Sequence, residues 1–279
     1  MGLTIMEPKE IKAKEFERFS RLVYDQTGIR LEAQKKDLLQ ARLRKRLRAL
    51  AIPTFKDYYR FLTEDESGSE LIQMIDCVTT NKTEFFRESG HFEHLVRTAL
   101  PALSKGLPKD VPLRLWSAAC STGEEVYSLA MTALETLGGS QPIKVLGTDI
   151  STRVLGKALE GRYEGDKVAN VPAAWRFKYF WTEKDGEELF YRVGHELKEI
   201  ARFSRLNLNG GDLPFHSRFD VIFCRNVMIY FDQEVQQKLI DRLTGALKSG
   251  GFLYTGHSES LLRIRHGLKA VAPSVYVKP

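Results

Sequence analysis

From about residue 110 the chain alternates short apolar runs with amphipathic ones, and this alternation limits the fold more than any other feature. Leu113 to Ala119 reads as a strand. Glu124 to Leu137 reads as a helix ended by Gly138-Gly139, and Ile143 to Gly147 as a strand stopping at Thr148-Asp149. Ser151 suits the cap of a helix reaching about Leu159. Asp220 to Cys224, Gln233 to Leu247 and Gly251 to Thr255 then repeat strand, helix, strand. Such alternation predicts an α/β fold: a mostly parallel sheet with helices on both faces. Val271 to Lys278, broken at Pro273, predicts a closing hairpin or edge strand.

Two regions depart from this pattern. Residues 11 to about 75 read as helices, with Phe16, Phe19, Leu22 and Val23 at helical spacing and Leu39, Leu43, Leu47 and Leu50 forming a second stripe. Pro53 is placed to end that second helix, and Tyr58, Tyr59 and Leu62 mark a third. Trp175 to Ile200 is aromatic-rich around the turn Lys184-Asp185-Gly186. Phe177, Tyr179 and Trp181 precede that turn and Leu189, Tyr191 and Val193 follow it, which predicts an inserted antiparallel hairpin. The expected organisation is a helical domain over 1-78, a linker and connecting helix over 79-104, and an α/β domain over 105-279 with a β-subdomain at about 175-202.

Composition narrows the class. The 279 residues are 43% apolar and 28% charged, as in soluble globular proteins. No apolar run approaches the ~20 residues of a membrane span. Met1 to Lys14 is charged and lacks a signal-peptide core. Cys77, Cys120 and Cys224 are far apart and suggest neither zinc site nor disulfide framework, consistent with a reducing, cytoplasmic compartment. Between Arg30 and Arg48 lie eight basic residues and two acids, so this window carries the whole chain's net charge of +6. On a helix, Arg44, Lys45 and Arg48 face away from the leucine stripe, with Arg42 and Arg46 flanking it. That face fits nucleic acid, an anionic membrane or an acidic protein surface, or is simply solvated. No heptads appear, and a monomer is expected.

Several runs carry polar chemistry. Trp116-Ser117-Ala118-Ala119-Cys120-Ser121-Thr122-Gly123-Glu124-Glu125 follows the first strand and opens a helix. A phosphate site there would want several glycines. One glycine followed by two acids disfavours a pyrophosphate and favours a cationic sulfonium or α-amino group, as in S-adenosylmethionine. There is no GxxxxGK[ST] loop. On spacing alone the turn also fits a tight connection without ligand. Asp149 suits either a helix cap or a carboxylate accepting both ribose hydroxyls, and the turn upstream favours the second. Arg225-Asn226 and Tyr230 follow a buried strand, where ligands bind in such sheets. His91, His94, His195, His216, His257 and His266 show no metal-ligand spacing, and no metal is assigned. His257-Ser258-Glu259-Ser260 reads as a loop at the site's rim rather than a triad.

Taken in order, Asn81-x-Thr83-x-Phe85-Phe86-Arg87, the Trp116 to Glu125 run, Thr148-Asp149-Ile150-Ser151 and Cys224-Arg225-Asn226-Val227-Met228-Ile229-Tyr230-Phe231 resemble signatures of the CheR family, the chemoreceptor glutamate methyltransferases. The resemblance covers nearly the whole chain. It implies a class I, Rossmann-like methyltransferase sheet and S-adenosylmethionine as cofactor. It also implies transfer of methyl to glutamate side chains on the cytoplasmic helices of bacterial chemoreceptors. By the same resemblance Asn81, Thr83 and Arg87 would contact the cofactor, Ala118 and Glu124 would act at the turn after the first strand, Glu124 meeting the cofactor's cationic methionine end, and Asp149 would hold the ribose. Asn207 and Leu208 would flank the adenine, and Arg225, Asn226 and Tyr230 would lie near the sulfonium. Arg87 and Tyr230 are the expected catalytic pair. Arg42, Lys45, Arg46 and Arg48 would dock an acid-rich receptor helix. The family's inserted hairpin can tether a receptor peptide, but the short Thr182 to Glu188 turn, with one glycine, favours a tether-independent enzyme. Rival readings are an RNA or DNA methyltransferase using the basic helix for phosphates, for which the Asn/Asp-Pro-Pro-aromatic run is missing after the fourth strand, and a cofactor-binding adaptor without turnover.

Overall fold

The computed structural model describes residues 10–279, so most of the charged start lies outside the described residues. Helices come first: α1 (Ala13–Thr27), α2 (Lys36–Ala49), α3 (Phe55–Glu64) and α4 (Ser69–Val78). Their apolar faces meet in one core built on Phe19, Val23, Leu39, Leu43, Leu47, Tyr58 and Met74. The leucine stripe is thus buried as its spacing predicts. Helix α2 ends at Ala49, ahead of Pro53: Ala51 is left-handed and Ile52 N–H bonds back to Leu47 C=O at 2.9 Å. Thr54 caps α3 by accepting from Asp57 N–H at 3.1 Å.

An extended linker leads into α5 (Ser89–His94), one π-type turn over Leu95–Ala99, and α6 (Leu100–Lys105). The α/β body follows: β1 (Leu113–Ala118), α7 (Glu124–Leu137), β2 (Ile143–Asp149) and α8 (Thr152–Glu160). The insertion comprises β3 (Arg162–Glu164), α9 (Ala173–Tyr179), β4 (Phe180–Asp185), β5 (Glu188–Val193) and α10 (His195–Ile200). The chain then completes β6 (Ala201–Arg205), β7 (Phe219–Cys224), α11 (Gln233–Ala246), β8 (Leu247–Thr255), β9 (Lys269–Ala272) and β10 (Val275–Val277).

The main sheet has the order β6-β2-β1-β7-β8-β10-β9. The first five are parallel neighbours, and β10 runs antiparallel between β8 and β9. Apolar residues fill both faces, with Tyr127, Leu129 and Phe223 on one and Trp116, Ile222 and Leu239 on the other. Because the chain moves outward from β1 through β2 to β6 and then returns beside β1 as β7, the strand order reverses at β1/β7. Ligands bind at such a switch point, outside the carboxyl ends of the strands.

The insertion differs from expectation in two ways. Phe177 and Tyr179 sit on α9 rather than on a strand, since only the residues from Phe180 onward pair with β5. A third strand, β3, also joins, giving the order β3-β5-β4. Its three residues are too short to show a period of two. Residues 201 and 202 belong instead to β6 of the main sheet.

Within the helical domain Glu70 is 5% exposed and is held by two bonds from Arg46, Nε at 3.0 Å and Nη2 at 2.6 Å, and by the Tyr58 hydroxyl at 2.7 Å. Removing one partner of a buried pair strands the other charge. Arg46→Ala is expected to destabilise the helical domain by about 3 kcal/mol. Urea denaturation followed by helical circular dichroism checks this, and a loss of under about 1 kcal/mol, the range of surface pairs, would refute it.

Candidate active site

Strand register sets the site's geometry. Ala118 lies beside Thr148 of β2 and Cys224 of β7, and Asp149 lies beside Arg205 of β6. The residues that leave these strand ends therefore emerge side by side: Ala119, Asp149, Leu206 to Leu208, and Arg225 to Val227. They line a cavity of about 1110 Å³, including its open mouth, large enough for a nucleoside-sized ligand. The helical domain and linker supply the opposite wall, including Ile29, Leu31, Lys35, Arg42 and Val78 to Thr83.

The turn after β1 is built from left-handed residues, with φ of 70° at Ala119, 50° at Ser121 and 96° at Gly123. A Cβ at Gly123 would also meet Ala158 at 2.9 Å, so glycine is required there twice over. The alternation turns the Ser121 N–H onto Asp149 Oδ2 at 2.8 Å, while Ser151 N–H reaches Oδ1 at 3.0 Å. Burial pushes the Asp149 carboxyl above its ordinary range, against those N–H bonds. Each oxygen retains a second lone pair for a hydroxyl. The helix cap is made separately, by Ser151 Oγ accepting from Val154 N–H at 3.4 Å. Asp149 is therefore free of the capping role and faces the cavity.

The linker is latched across this turn. Ser121 Oγ donates to Asn81 C=O at 3.0 Å and Phe86 N–H to Ser128 Oγ at 3.1 Å. Phe86 and Glu88 are left-handed, at φ of 55° and 58°. That contortion buries Phe85 while Asn81, Thr83 and Arg87 face the cavity. Five of the seven non-glycine residues with positive φ among the described residues, Phe86, Glu88, Ala119, Ser121 and Asn226, border this one region, where backbone strain marks a functional site.

Arg225 joins the pieces. Its side chain is 2% exposed. Nε donates to Glu125 Oε2 at 2.8 Å, and Nη1 reaches Arg87 C=O at 2.6 Å, Glu88 Oε2 at 3.4 Å and His91 Nδ1 at 3.1 Å. Burial, and then the adjacent guanidinium, pull the His91 imidazole down to about 4. It stays neutral, so Nδ1 accepts. Burial pushes Glu88 up, but bonds from Asn226 and the pull of Arg225 outweigh it and hold the carboxyl low. Glu88, His91 and His257 approach within 4.8 Å of one another, a convergence that spacing along the chain did not reveal. Arg225 contacts the first two of these, and its fixed cation opposes a metal ion there.

Of the residues expected from sequence, Asn81, Thr83, Arg87, Asp149, Asn207, Leu208, Arg225, Asn226 and Tyr230 all line the cavity. Ala118 and Glu124 are not among the lining residues, while the residue that follows each of them is. Ala118 is buried within β1, and Ala119 lines the cavity in its place. Glu124 also lies off the cavity: it accepts from Thr122 Oγ1 at 2.6 Å, and burial raises its pKa. One residue on, about 100° round the helix, Glu125 lines the cavity and accepts from Ser117 Oγ at 2.6 Å as well as from Arg225. The basic helix is also divided. Arg46 is committed to Glu70. Arg42 donates to Val78 C=O at 2.5 Å and Thr80 Oγ1 at 3.1 Å and lines the cavity, while Lys45 and Arg48 are exposed. The sequence reading missed the cavity residues Lys35, Lys82 and Ile150. Lys35 Nζ lies 5.4 Å from the centroid of the Tyr230 ring.

The donor set fits S-adenosylmethionine: a buried carboxylate at the end of β2 for a diol, the apolar side chains of Ile150 and Leu208 in the lining for a purine, and Glu125 for a cationic tail. Asp149→Asn is expected to weaken S-adenosylmethionine binding roughly tenfold to a hundredfold, the worth of hydrogen bonds to a charged group. Glu124→Gln is expected to change it less than about threefold, since Glu124 is buried against Thr122 and is not among the lining residues. Calorimetric titration of both variants checks this; equal losses would refute the placement of Glu124.

Comparison with known proteins agrees with this geometry. Residues 14–79 match the CheR methyltransferase all-alpha domain, and residues 81–277 match the CheR methyltransferase S-adenosylmethionine binding domain. The chain is similar to the chemotaxis protein methyltransferase of Borreliella burgdorferi, with 37% identity covering 96% of this chain and 95% of that one. It is 38% identical to the Escherichia coli chemotaxis protein methyltransferase, covering 98% and 94%. With chemotaxis protein methyltransferase 2 of Pseudomonas aeruginosa the identity is 36%, covering 94% and 92%. By sequence the chain belongs to the CheR family of S-adenosylmethionine-dependent chemotaxis methyltransferases.

Proposed function

We propose that this methyltransferase esterifies glutamate side chains on the cytoplasmic helices of bacterial chemoreceptors. One observation carries the reading: Arg87 and Tyr230, from segments far apart in sequence, face the same cavity as the carboxylate and apolar side chains suited to the cofactor. A guanidinium and a phenol together make a receptor for a carboxylate. S-adenosylmethionine supplies, when bound, a methyl group on a sulfonium for a single in-line displacement. The chain's residues supply alignment and exclusion of water. A glutamate side chain, with a pKa of about 4.3, is already anionic at neutral pH, so no general base is required. Arg87 donates to one carboxylate oxygen and Tyr230 to the same group, which points its free lone pair along the displacement axis. Glu125, balanced by Arg225, offers its negative charge to the cationic end of the cofactor.

Docking follows from charge. Lys45 and Arg48 present an exposed basic face on α2, on the domain that forms one wall of the cavity. That face suits an acid-rich helix. Arg42 and Arg46 would act from behind it, by fixing the linker and α4. Among the described residues no helix is long and apolar enough to cross a membrane.

Labelled S-adenosylmethionine with receptor-bearing membranes tests the reaction: a receptor band whose label is released by mild base is expected. Arg87→Ala and Tyr230→Phe should each lower turnover by about ten- to a hundredfold, the loss of one positioning hydrogen bond. Cofactor binding without receptor labelling would refute the substrate assignment, and salt-sensitive nucleic-acid binding would then favour the rival substrate. In the same assay Lys45→Glu with Arg48→Glu should raise the KM for receptor roughly tenfold, with cofactor affinity unchanged. An unaltered KM would remove α2 from docking.

A further inference from the structure

Loop 256–259 lies outside the cavity lining, yet it is built around one buried carboxylate. Glu259 is 5% exposed. Its Oε2 accepts from Asn226 N–H and Gly256 N–H, both at 2.7 Å. Its Oε1 accepts from Met228 N–H at 2.7 Å and Ile229 N–H at 3.3 Å. All four donors are backbone groups, and three belong to the segment that carries Asn226 and Tyr230. A neutral side chain of this size could accept such bonds at one oxygen only. The fit is also close: a Cβ on Gly256 would stand 2.6 Å from Glu259 Oε2 and 2.7 Å from Asn226 Nδ2.

The segment's own bonds, Tyr230 N–H to Val227 C=O at 3.2 Å and Phe231 N–H to Met228 C=O at 3.0 Å, with Gln236 Nε2 on Met228 C=O at 2.9 Å, fix its later half but leave the Asn226 N–H to Glu259. Asn226 is left-handed at φ 58°, a conformation that costs on the order of 1–3 kcal/mol outside glycine. Its side chain reaches Glu88 Oε1 at 3.2 Å from a position on the cavity wall. A single 3₁₀ turn, Met228–Tyr230, then delivers the Tyr230 side chain to the same wall. Two of the Glu259 bonds fall on that turn's first two residues. From the far side, Arg30 N–H donates to Tyr230 C=O at 2.9 Å.

We propose that Glu259 is a positioning residue for methyl transfer: its carboxylate locks the backbone of 226–229 so that Asn226 and Tyr230 meet the reacting groups in register. It touches neither cofactor nor substrate and acts only through that backbone. A displacement of about 1 Å at a reacting group costs on the order of 10²-fold in rate, and this is the scale expected when the lock is removed.

The turnover part rests on the glutamate-methylation reading, so the test has an arm that needs no substrate. In Glu259→Gln, amide hydrogen exchange is expected to accelerate at residues 226, 228, 229 and 256, with exchange elsewhere and the affinity for S-adenosylmethionine within about threefold of the parent. On receptor membranes kcat should fall on the order of 10²-fold with KM for receptor little changed. The double variant with Tyr230→Phe should lose less than the product of the two single effects, because both act through one group. Accelerated exchange with full turnover would overturn the proposal, as would lost turnover with exchange unaltered at those amides. A parent enzyme inactive on receptor fails the substrate reading instead, while the exchange arm still decides whether Glu259 holds the segment. Should Glu259→Gln not fold, Gly256→Ala displaces the carboxylate without removing its charge. It is expected to give the same local exchange and the same kcat loss, and normal values for both would overturn the proposal.

Discussion

A buried guanidinium is the constraint around which this active site is assembled. Arg225 stands at the end of β7, out of solvent, and a charge in that position is tolerable only when fully paired. Its partners come from three other parts of the chain: Glu125 on the first turn of α7, the Arg87 carbonyl and Glu88 on the linker, and His91 on α5. None of these segments would otherwise need to adopt its contorted path. The left-handed backbone at Glu88 and Asn226 persists because the surrounding bonds overdetermine it. Pairing one arginine thus draws the sheet, its first helix and the linker to a single point, and the cavity opens beside that point.

The helical domain completes the site as well as carrying a basic face. Asp76 on α4 accepts from Thr152 Oγ1 at 2.7 Å and Arg153 N–H at 3.2 Å at the start of α8. Tyr24 on α1 donates to Asp232 at 2.5 Å, and Asn207 reaches back to Gln26 C=O at 2.6 Å. These bonds flank the cavity on both sides. The wall that a substrate would meet is therefore set by contacts between two separately built cores, and Ile29, packed against both, sits at their junction.

Much of the framework was legible beforehand, for local reasons. A period of two or of 3.6 reports which face of an element is buried, so β1, α7, β2 and α11 could be placed within a residue or two. Signals failed where the pattern was short or its cause non-local. β3 has three residues, β6 lies next to a helix with no turn residue between them, and Phe177 is apolar yet 92% exposed. A stretch of alternating aromatics was consequently read as strand where α9 forms. Asp149, Arg225, Asn226 and Tyr230 were legible because they follow strand ends, visible as a change from apolar to polar, whereas Asn81, Thr83, Arg87, Asn207 and Leu208 came only from the resemblance to the CheR family. Lys35 was missed because it reaches the cavity from the helical domain, whereas Ile150, beside Asp149 at the end of β2, is apolar and carries no polar signal of its own.

The sequence alone determined the class of fold and, through its four ordered runs, the family. Those features depend on local periodicity and on residues that stay together along the chain. Tertiary structure decided which member of each adjacent pair faces the cavity. Glu124 and Glu125 are equivalent on paper, as are Ala118 and Ala119. A helix turns about 100° per residue and a strand about 180°, so only the packed position of each element says which side chain faces the cavity. The same holds for Arg42 and Arg46, which read as outward charge until α4 and the linker close over them. It holds most plainly for Glu259, whose four backbone donors are brought together only after β7 and β8 lie side by side.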